Sequence, residues 1–374
     1  MTQPSYKIII SDCHLSGGRI FEGALNPHED FHFDEEMCAF FRHFSTGQYG
    51  EGADGPVQVE LFINGDYIDF LNVPYQGEFE DAITEDMSVY KAQAIIKGHP
   101  TVMAALRDFA GKPGKKITYM IGNHDADLFF PKVRETIIRA WDPEGKFPSD
   151  KVTIIADRDR IKWGSVEVHH GNQFEAVHVL NFEKPWLESY NEKPVLNIPW
   201  GSFYVLKIVN RLKFEREYLD KVRPVRALML LGLITDPWFT IRYAFLTAFY
   251  FLKTRFVYSS KRRSTLKVTA KIVKEQTQFL MDLEGEARAL LNENAEVKTV
   301  IFGHTHKPVN KIWPDGKQYI NTGTWTKMIN LDWRNLGTQY ALTFAFLKFQ
   351  GDEAAQCELR QWQGDIGPHR VWHG

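Results

Sequence analysis

The chain alternates short apolar runs with longer stretches of helical spacing. Tyr6–Ser11 has the pattern of a buried strand, with Ile8-Ile9-Ile10 at its centre. Val57–Asn64 and Lys116–Ile121 repeat it as a second and a third strand. Between the first two lie a helix around Phe33–Phe44 and a Gly-rich loop from Gly47 to Gly55. Residues 78–110 read as helical through Met87, Ile95, Val102 and Leu106, and a further helix is expected from Pro131. Val152–Ala156, Asp159–Trp163 and Val166–His170 are expected as consecutive antiparallel strands, with Gly164-Ser165 in a turn.

After Phe174 the texture changes. Residues 176–275 have helical rather than strand spacing and are rich in aromatics. Strand patterns return at Val297–Phe302, Gln318–Asn321, Gln339–Phe349 and Gln356–Gln363. The expected organisation is a discontinuous α/β core, residues 1–175 and 276–374, interrupted by a helical insert at 176–275. No internal repeat or low-complexity tract is present.

Polar residues of one chemical kind cluster where the apolar runs end. The motifs are Asp12-Cys13-His14, Gly65-Asp66-Tyr67-Ile68-Asp69, Gly122-Asn123-His124-Asp125, His170-Gly171 and Gly303-His304-Thr305-His306. Within a strand, Asp12 and His14 share a face and can converge on one ion while Cys13 points away. A carboxylate placed like Asp66 can bridge two cations about 3.5–4 Å apart. Asp69, three residues on, suits an orienting role better than a ligand role. Asn123 offers a neutral carbonyl oxygen. His124 can stay off the metals and protonate a leaving oxygen, its ring fixed by a carboxylate such as Asp69 or Asp125. Of the adjacent pair His169 and His170, only one can face the site, and His170 directly precedes the glycine at the strand exit. His304 and His306 flank a small Thr, and neutral imidazoles of this kind suit Mn, Fe, Zn or Ni. Each motif alone also reads as ordinary turn chemistry or a satisfied buried pair. Five of them at strand exits, in one order, point to a two-metal hydrolytic site.

The series resembles the calcineurin-like metallophosphoesterases over residues 6–175 and 297–325, and Asn321-Thr322-Gly323-Thr324-Trp325 resembles the segment that follows the last His pair in that family. The resemblance implies a four-layer α/β/β/α sandwich of two mixed sheets. It implies two divalent metal ions, Mn first among the candidates. Asp12, His14, Asp66 and His306 would hold one, and Asp66, Asn123, His170 and His304 the other. His124 would be the acid, paired with Asp69, and a metal-bridging hydroxide would attack phosphorus.

Charge adds a second theme. The net charge of −2 is unremarkable. Residues 207–274, however, hold sixteen Lys and Arg against four acids, so the remainder is strongly acidic. Within that stretch Ala227–Ile234 and Ile241–Leu252 are apolar, and neither reaches the ~20 residues that span a bilayer. A helical hairpin with an apolar surface framed by cations suits an anionic membrane surface, and an ordinary subdomain with a solvated basic face is the bland alternative. Within the family, the insert resembles the lid of UDP-2,3-diacylglucosamine pyrophosphohydrolases, which implies a lipid- or nucleotide-linked phosphate as substrate. His124 departs from that branch, which typically has Arg there, and the insert is longer. A nuclease, a cyclic nucleotide phosphodiesterase and a protein Ser/Thr phosphatase are alternatives of the same chemistry, and aliphatic runs in the insert argue against nucleic acid. A non-catalytic, metal-binding membrane scaffold is the alternative of another class.

Composition adds little more: 374 residues, 44% hydrophobic and 25% charged, fit a globular protein with one large core or two unequal domains. Cys13, Cys38 and Cys357 form no paired framework. With a short polar start before the first strand, the expectation is a cytoplasmic protein, at most peripheral on the inner face of the membrane.

Overall fold

The computed structural model describes residues 3–190, 193–223, 225–256, 283–331, 336–365 and 367–372. Twelve strands carry its two large sheets: β1 (Ser5–Ile10), β2 (Val59–Asn64), β3 (Lys115–Met120), β4 (Val152–Ile155), β5 (Arg160–Trp163), β6 (Val166–His169), β7 (Thr299–Phe302), β8 (Val309–Ile312), β9 (Gln318–Asn321), β10 (Thr343–Gln350), β11 (Glu353–Trp362) and β12 (His369–Val371). One sheet runs β12-β11-β10-β1-β2-β3-β4, and the other β8-β9-β7-β6-β5. β1 to β4 are mutually parallel, as are β6, β7 and β9, and antiparallel strands complete the edges.

Period-two alternation sorts the strand side chains into layers. Ile9, Phe62 and Met120 from the first sheet meet Val166, Val168, Ile301 and Ile320 from the second in a core between the sheets. Their neighbours Ile8, Ile10, Leu61, Ile63, Ile117 and Tyr119 point the other way. That outer face is covered by α1 (Asp34–His43), α2 (Glu85–Gly98), α3 (Pro100–Gly111) and α4 (Pro131–Trp141). The outer face of the second sheet packs Val300, Phe302 and Tyr319 against Ala287 and Leu291, which lie on the C-terminal-half helix Glu284–Glu293. The architecture is therefore the expected α/β/β/α sandwich.

Three local expectations are corrected. The segment 78–110 is two helices, because Pro100 has no N–H to continue the first and instead opens the second. Val152–Ile155 does not join an antiparallel meander. It follows the crossover helix α4 and pairs parallel with β3, while β5 and β6 form a hairpin in the other sheet. The insert is not wholly helical. It opens with an antiparallel pair, Trp186–Tyr190 and Lys193–Leu196, and Val222–Arg223 pairs with Met328–Asn330. Leu180, Leu196, Ile198, Phe203 and Leu206 join the main core cluster, so the start of the insert is continuous with the sandwich.

Buried ion pairs lock the later part of the insert to the loop before α1. Lys213 Nζ lies 3.0 Å from Asp30 and 2.6 Å from Asp220, and Lys221 lies 3.0 Å from Asp30. Burial favours protonation of Asp30, but the two ammonium groups win and hold its pKa near about 2. The helical stretch then continues as α5 (Val225–Thr235) and α6 (Pro237–Phe256). The expectation of helix beyond Phe256 to residue 275 lies outside the described residues.

Two stability tests follow from this packing. Phe62 is fully buried between the sheets against Trp163. Phe62→Ala should cost about 3–5 kcal/mol in chemical denaturation. His99, at the α2–α3 break, sits between Asp34 and Glu29 at 2.8 and 3.1 Å. Burial disfavours the charged ring, but those two hydrogen bonds prevail and raise its pKa from 6.5 to about 9. A raised folded-state pKa contributes stability that is full below the unfolded value and lost as pH rises through the folded one. Stability should therefore fall between about pH 6.5 and 9, and His99→Gln should flatten that part of the pH profile.

Candidate functional site

The C-terminal ends of β1, β2, β3, β6 and β7 converge at one edge of the sandwich, and each is followed by one of the polar motifs. Asp12 and His14 do not face one way through strand alternation, as their spacing suggested. β1 ends at Ile10, and both residues adopt left-handed backbone, with φ of 52° and 55°. Asp66, His304 and His306 do the same at 52°, 67° and 61°. Non-glycine residues seldom take this conformation, and it persists only where surrounding contacts impose it. Here the contacts are visible. Asp12 N–H and His14 N–H donate to Gly65 O and Asp66 O. The Asp12 carbonyl accepts from Thr324 Oγ1 at 2.6 Å and Trp325 N at 3.2 Å, which gives the Asn321–Trp325 segment a role. Asn321 Nδ2 donates to Gly303 O at 2.7 Å.

The side chains so positioned form two adjoining triads. One is Asp12, His14 and His306, and the other is Asp66, His170 and His304. Within each triad, one ligand-type atom per residue lies within 4.8 Å of the others. Space for them depends on glycine. A Cβ on Gly122 would collide with Asp66 Oδ1 and stand 2.9 Å from His170 Nε2.

Tautomers follow from the hydrogen bonds. His170 Nδ1–H donates to Asn64 O at 2.7 Å, so in the neutral ring the lone pair is on Nε2. That lone pair faces Asp66 Oδ2 at 3.1 Å without hydrogen-bond alignment. His14 Nδ1 bonds Asp69 Oδ2 at 3.0 Å, leaving its Nε2 facing His306 Nε2 at 3.0 Å, which is also 3.5 Å from Asp12 Oδ1. Asp12 Oδ1, Asn123 Oδ1, His170 Nε2 and His306 Nδ1 are all buried without a hydrogen-bond partner. Buried acceptors left without a donor are costly unless a cation serves them. A proton can serve the His170–Asp66 pair: burial opposes charging the ring, but the carboxylate outweighs it and lifts the pKa to about 10. It leaves the Asp12 and Asn123 oxygens unserved. Mixed imidazole, carboxylate and amide donors in this arrangement fit divalent transition-metal ions.

Asp69 stands apart from the unpaired groups. Its Oδ2 accepts from His14 Nδ1, His124 Nδ1 and Asn72 Nδ2, each at 3.0 Å. Its Oδ1 accepts from the backbone of Leu71 and Asn72. Burial would raise its pKa, but the two imidazoles overcome this and hold it well below the usual carboxylate range. It thus orients two rings, where the sequence indicated one. For His124, burial lowers the pKa and the carboxylates of Asp69 and Asp66 raise it further, to about 9. Asp125, the other candidate to hold His124, is occupied with Tyr119 Oη and Gly122 N–H.

His169 faces away and bonds Glu167 and Gln173, each at 2.8 Å. Two residues escaped the sequence reading. Glu175 Oε2 lies 3.2 Å from His304 Nε2, and His178 stacks edge-on to the His304 ring. A carboxylate on the far nitrogen of a ligating imidazole fixes its orientation. Glu175 lies four residues past Gly171, at the C-terminal cap of the short 3-10 turn Asn172–Phe174, and no spacing rule marks it. From the insert, Ser202 Oγ donates to the Asn123 carbonyl at 3.4 Å. Arg223 adds positive charge near Glu175 and His306.

No protein-family profile and no curated protein matches the chain. Among solved structures, it is similar to a dimetal phosphatase from Danio rerio at 11% identity, with 91% of this chain and 95% of that chain covered and a TM-score of 0.37. It is also similar to the calcineurin-like phosphoesterase YfkN from Bacillus subtilis, at 11% identity, 99% and 88% coverage and a TM-score of 0.33. A predicted phosphoesterase from Streptococcus pneumoniae overlays at 10% identity, 100% and 99% coverage and a TM-score of 0.31. Scores this low carry no argument about function, which has to come from the chain's own residues.

In the metal-free protein, the His124 ring should titrate near about 9 by NMR. Asp69→Asn should move the midpoint back toward 6.5. An unchanged midpoint would remove Asp69 as its electrostatic partner.

Proposed function

We propose that the chain is a two-metal-dependent phosphohydrolase that acts on a phosphoester or pyrophosphate, with a lipid- or nucleotide-linked phosphate as the substrate class. The observation that carries this reading is the pair of adjoining His/carboxylate triads, with Asp12 Oδ1, Asn123 Oδ1 and His170 Nε2 buried without a hydrogen-bond partner. Asp12, His14, Asp66 and His306 would hold one ion, and Asp66, Asn123, His170 and His304 the other. Such ions, Mn first among Mn, Fe, Zn and Ni, supply Lewis-acid polarisation of a phosphoryl group.

The chain's own residues account for the rest of the chemistry. Asp69 pins His124 through Nδ1 and leaves its Nε2 open to a bound ester. With its raised pKa the ring is charged at neutral pH, so it can donate a proton to the leaving oxygen. Nearby cations would pull that pKa down toward the operating range. Asp66 takes the His124 backbone N–H on Oδ1 at 2.8 Å, which ties the acid to the metal-facing carboxylate. Glu175 and Asn64 hold the His304 and His170 rings at the nitrogens opposed to their partners in the site.

The Mn²⁺-loaded protein should hydrolyse bis(p-nitrophenyl) phosphate, and Asp66→Asn should abolish turnover together with metal retention. His124→Ala should lower kcat by about 10²–10⁴-fold while metal content, read by elemental analysis, stays at the wild-type level. An equal loss of metal in His124→Ala would make His124 a ligand. UMP release from UDP-2,3-diacylglucosamine in detergent, absent in Asp66→Asn, would establish a lipid pyrophosphate as substrate. Hydrolysis of the phosphodiester alone would move the substrate search to other lipid and nucleotide phosphates. Absence of hydrolysis from metal-replete protein on every substrate would support the scaffold reading.

A further inference from the structure

The two metal positions of the proposed site are unequal in charge. The position built on Asp12, His14 and His306 has the Asp12 carboxylate and a share in Asp66. The other, built on Asp66, His170 and His304, has the neutral Asn123 where the first has Asp12. A dication there meets one carboxylate fewer, and the affinity of a cation site follows the charge of its ligands, more steeply away from water. The imidazoles differ as well. His14 has the Asp69 carboxylate 3.0 Å from its far nitrogen, whereas His170 has only the neutral Asn64 carbonyl. In the second position it is His304 that has a carboxylate behind it, with Glu175 Oε2 3.2 Å from Nε2.

Glu175 is buried, and among the described residues its ion pairs are with His304 and His178 alone. His178 Nε2 stands 3.6 Å away, beyond a hydrogen bond. A carboxylate taken out of water without a Lys or Arg partner needs positive charge from elsewhere. Here the nearest source is the metal position on the other side of the His304 ring. The benefit runs both ways, since a carboxylate behind a ligating imidazole fixes the ring and raises its basicity. The backbone around Glu175 is held from two sides. Its N–H donates to Asn172 O, and Asn172 Nδ2 donates to His178 O at 2.9 Å. From the insert, Gly201 on the short helix Trp200–Tyr204 donates its N–H to Val177 O at 2.8 Å. A Cβ on Gly201 would collide with the His178 ring, which packs edge-on to His304.

We propose that Glu175 is the positioning residue on which metal binding at the Asp66–Asn123–His170–His304 position depends. It supplies, through His304, the negative charge that Asn123 lacks, and the position built on Asp12, His14 and His306 is independent of it. The inference rests on the two-metal reading of the site. It makes the two ions separable: one is held by the strand-exit carboxylates themselves, the other by a carboxylate clamped between the strand exit and the insert.

The test is calorimetric titration of the metal-stripped full chain with Mn²⁺, with chemical denaturation of the metal-free protein as the check of fold. The wild type should bind two equivalents. Glu175→Ala should bind one equivalent with wild-type affinity and the other about 10–100-fold more weakly. Glu175→Gln keeps the shape and an acceptor for His304 Nε2 but loses the charge, and should weaken the same equivalent by a smaller factor. His14→Ala disables the other position, and adding Glu175→Ala to it should remove the remaining equivalent. Wild-type affinity at both positions in Glu175→Ala or, where that variant unfolds, in Glu175→Gln would overturn the proposal. Equal weakening of both equivalents in a folded variant would overturn it too. So would a third wild-type equivalent that His178→Ala removes, since Glu175 would then be a direct ligand together with His178 and His304. Binding of no Mn²⁺ by the wild type would remove the two-metal reading itself, an outcome distinct from two equivalents indifferent to Glu175.

Discussion

Burying Asp12, Asp66 and Asp69 at one edge of a two-sheet sandwich is the constraint that the surrounding structure answers. A carboxylate removed from water needs donors or a cation. Asp69 receives five donors and is complete within the protein. Asp12 has Ser11 Oγ and His304 N–H on Oδ2, and on Oδ1 no hydrogen bond, only the His306 ring at 3.5 Å. Asp66 takes the His124 N–H on Oδ1 and has the His170 ring nitrogen 3.1 Å from Oδ2 without a hydrogen bond. That inequality separates an orienting carboxylate from two that await positive charge. It also explains why the histidines point their undonating nitrogens inward.

Backbone geometry makes this convergence possible. Parallel strands deliver their C-terminal ends to one edge, but strand alternation alone would send neighbouring side chains apart. Left-handed turns at Asp12, His14, Asp66, His304 and His306 fold the ligand-type groups back over the strand ends. Such turns are unfavourable for residues with a Cβ, and the Thr324–Trp325 contacts with the Asp12 carbonyl hold one of them in place. Gly122 admits the Asp66 carboxylate and the His170 ring into the same space. The strain and the glycines belong to one device.

The insert obeys two different logics. Its first part joins the main hydrophobic core and is clamped by the Asp30–Lys213–Lys221 cluster. Asn72 touches both Asp30 and Asp69, so the clamp and the His124 orienting group share a neighbour. Its hairpin satisfies its packing on one side only and leaves an apolar stripe open on the other.

The candidate site was largely legible in the chain because its signals are local. An apolar run, a glycine and then a carboxylate or imidazole already place the polar group at a strand exit, and the choice of His170 over His169 needed only the position of Gly171. The layer order came from the resemblance of the motif series to the calcineurin-like metallophosphoesterases, not from the strand patterns themselves. Other features depended on contacts between distant segments. The membership of Val152–Ile155 in the first sheet is decided by the crossover through α4. The roles of Glu175 and His178 come from a turn that folds back onto His304, and the tautomers come from Asn64 and Asp69. The bare face of α6 had no signature either. A helix with apolar residues on both faces has little periodic contrast, so composition determined that it was hydrophobic, and only tertiary packing decided which stripe was buried and which was left exposed.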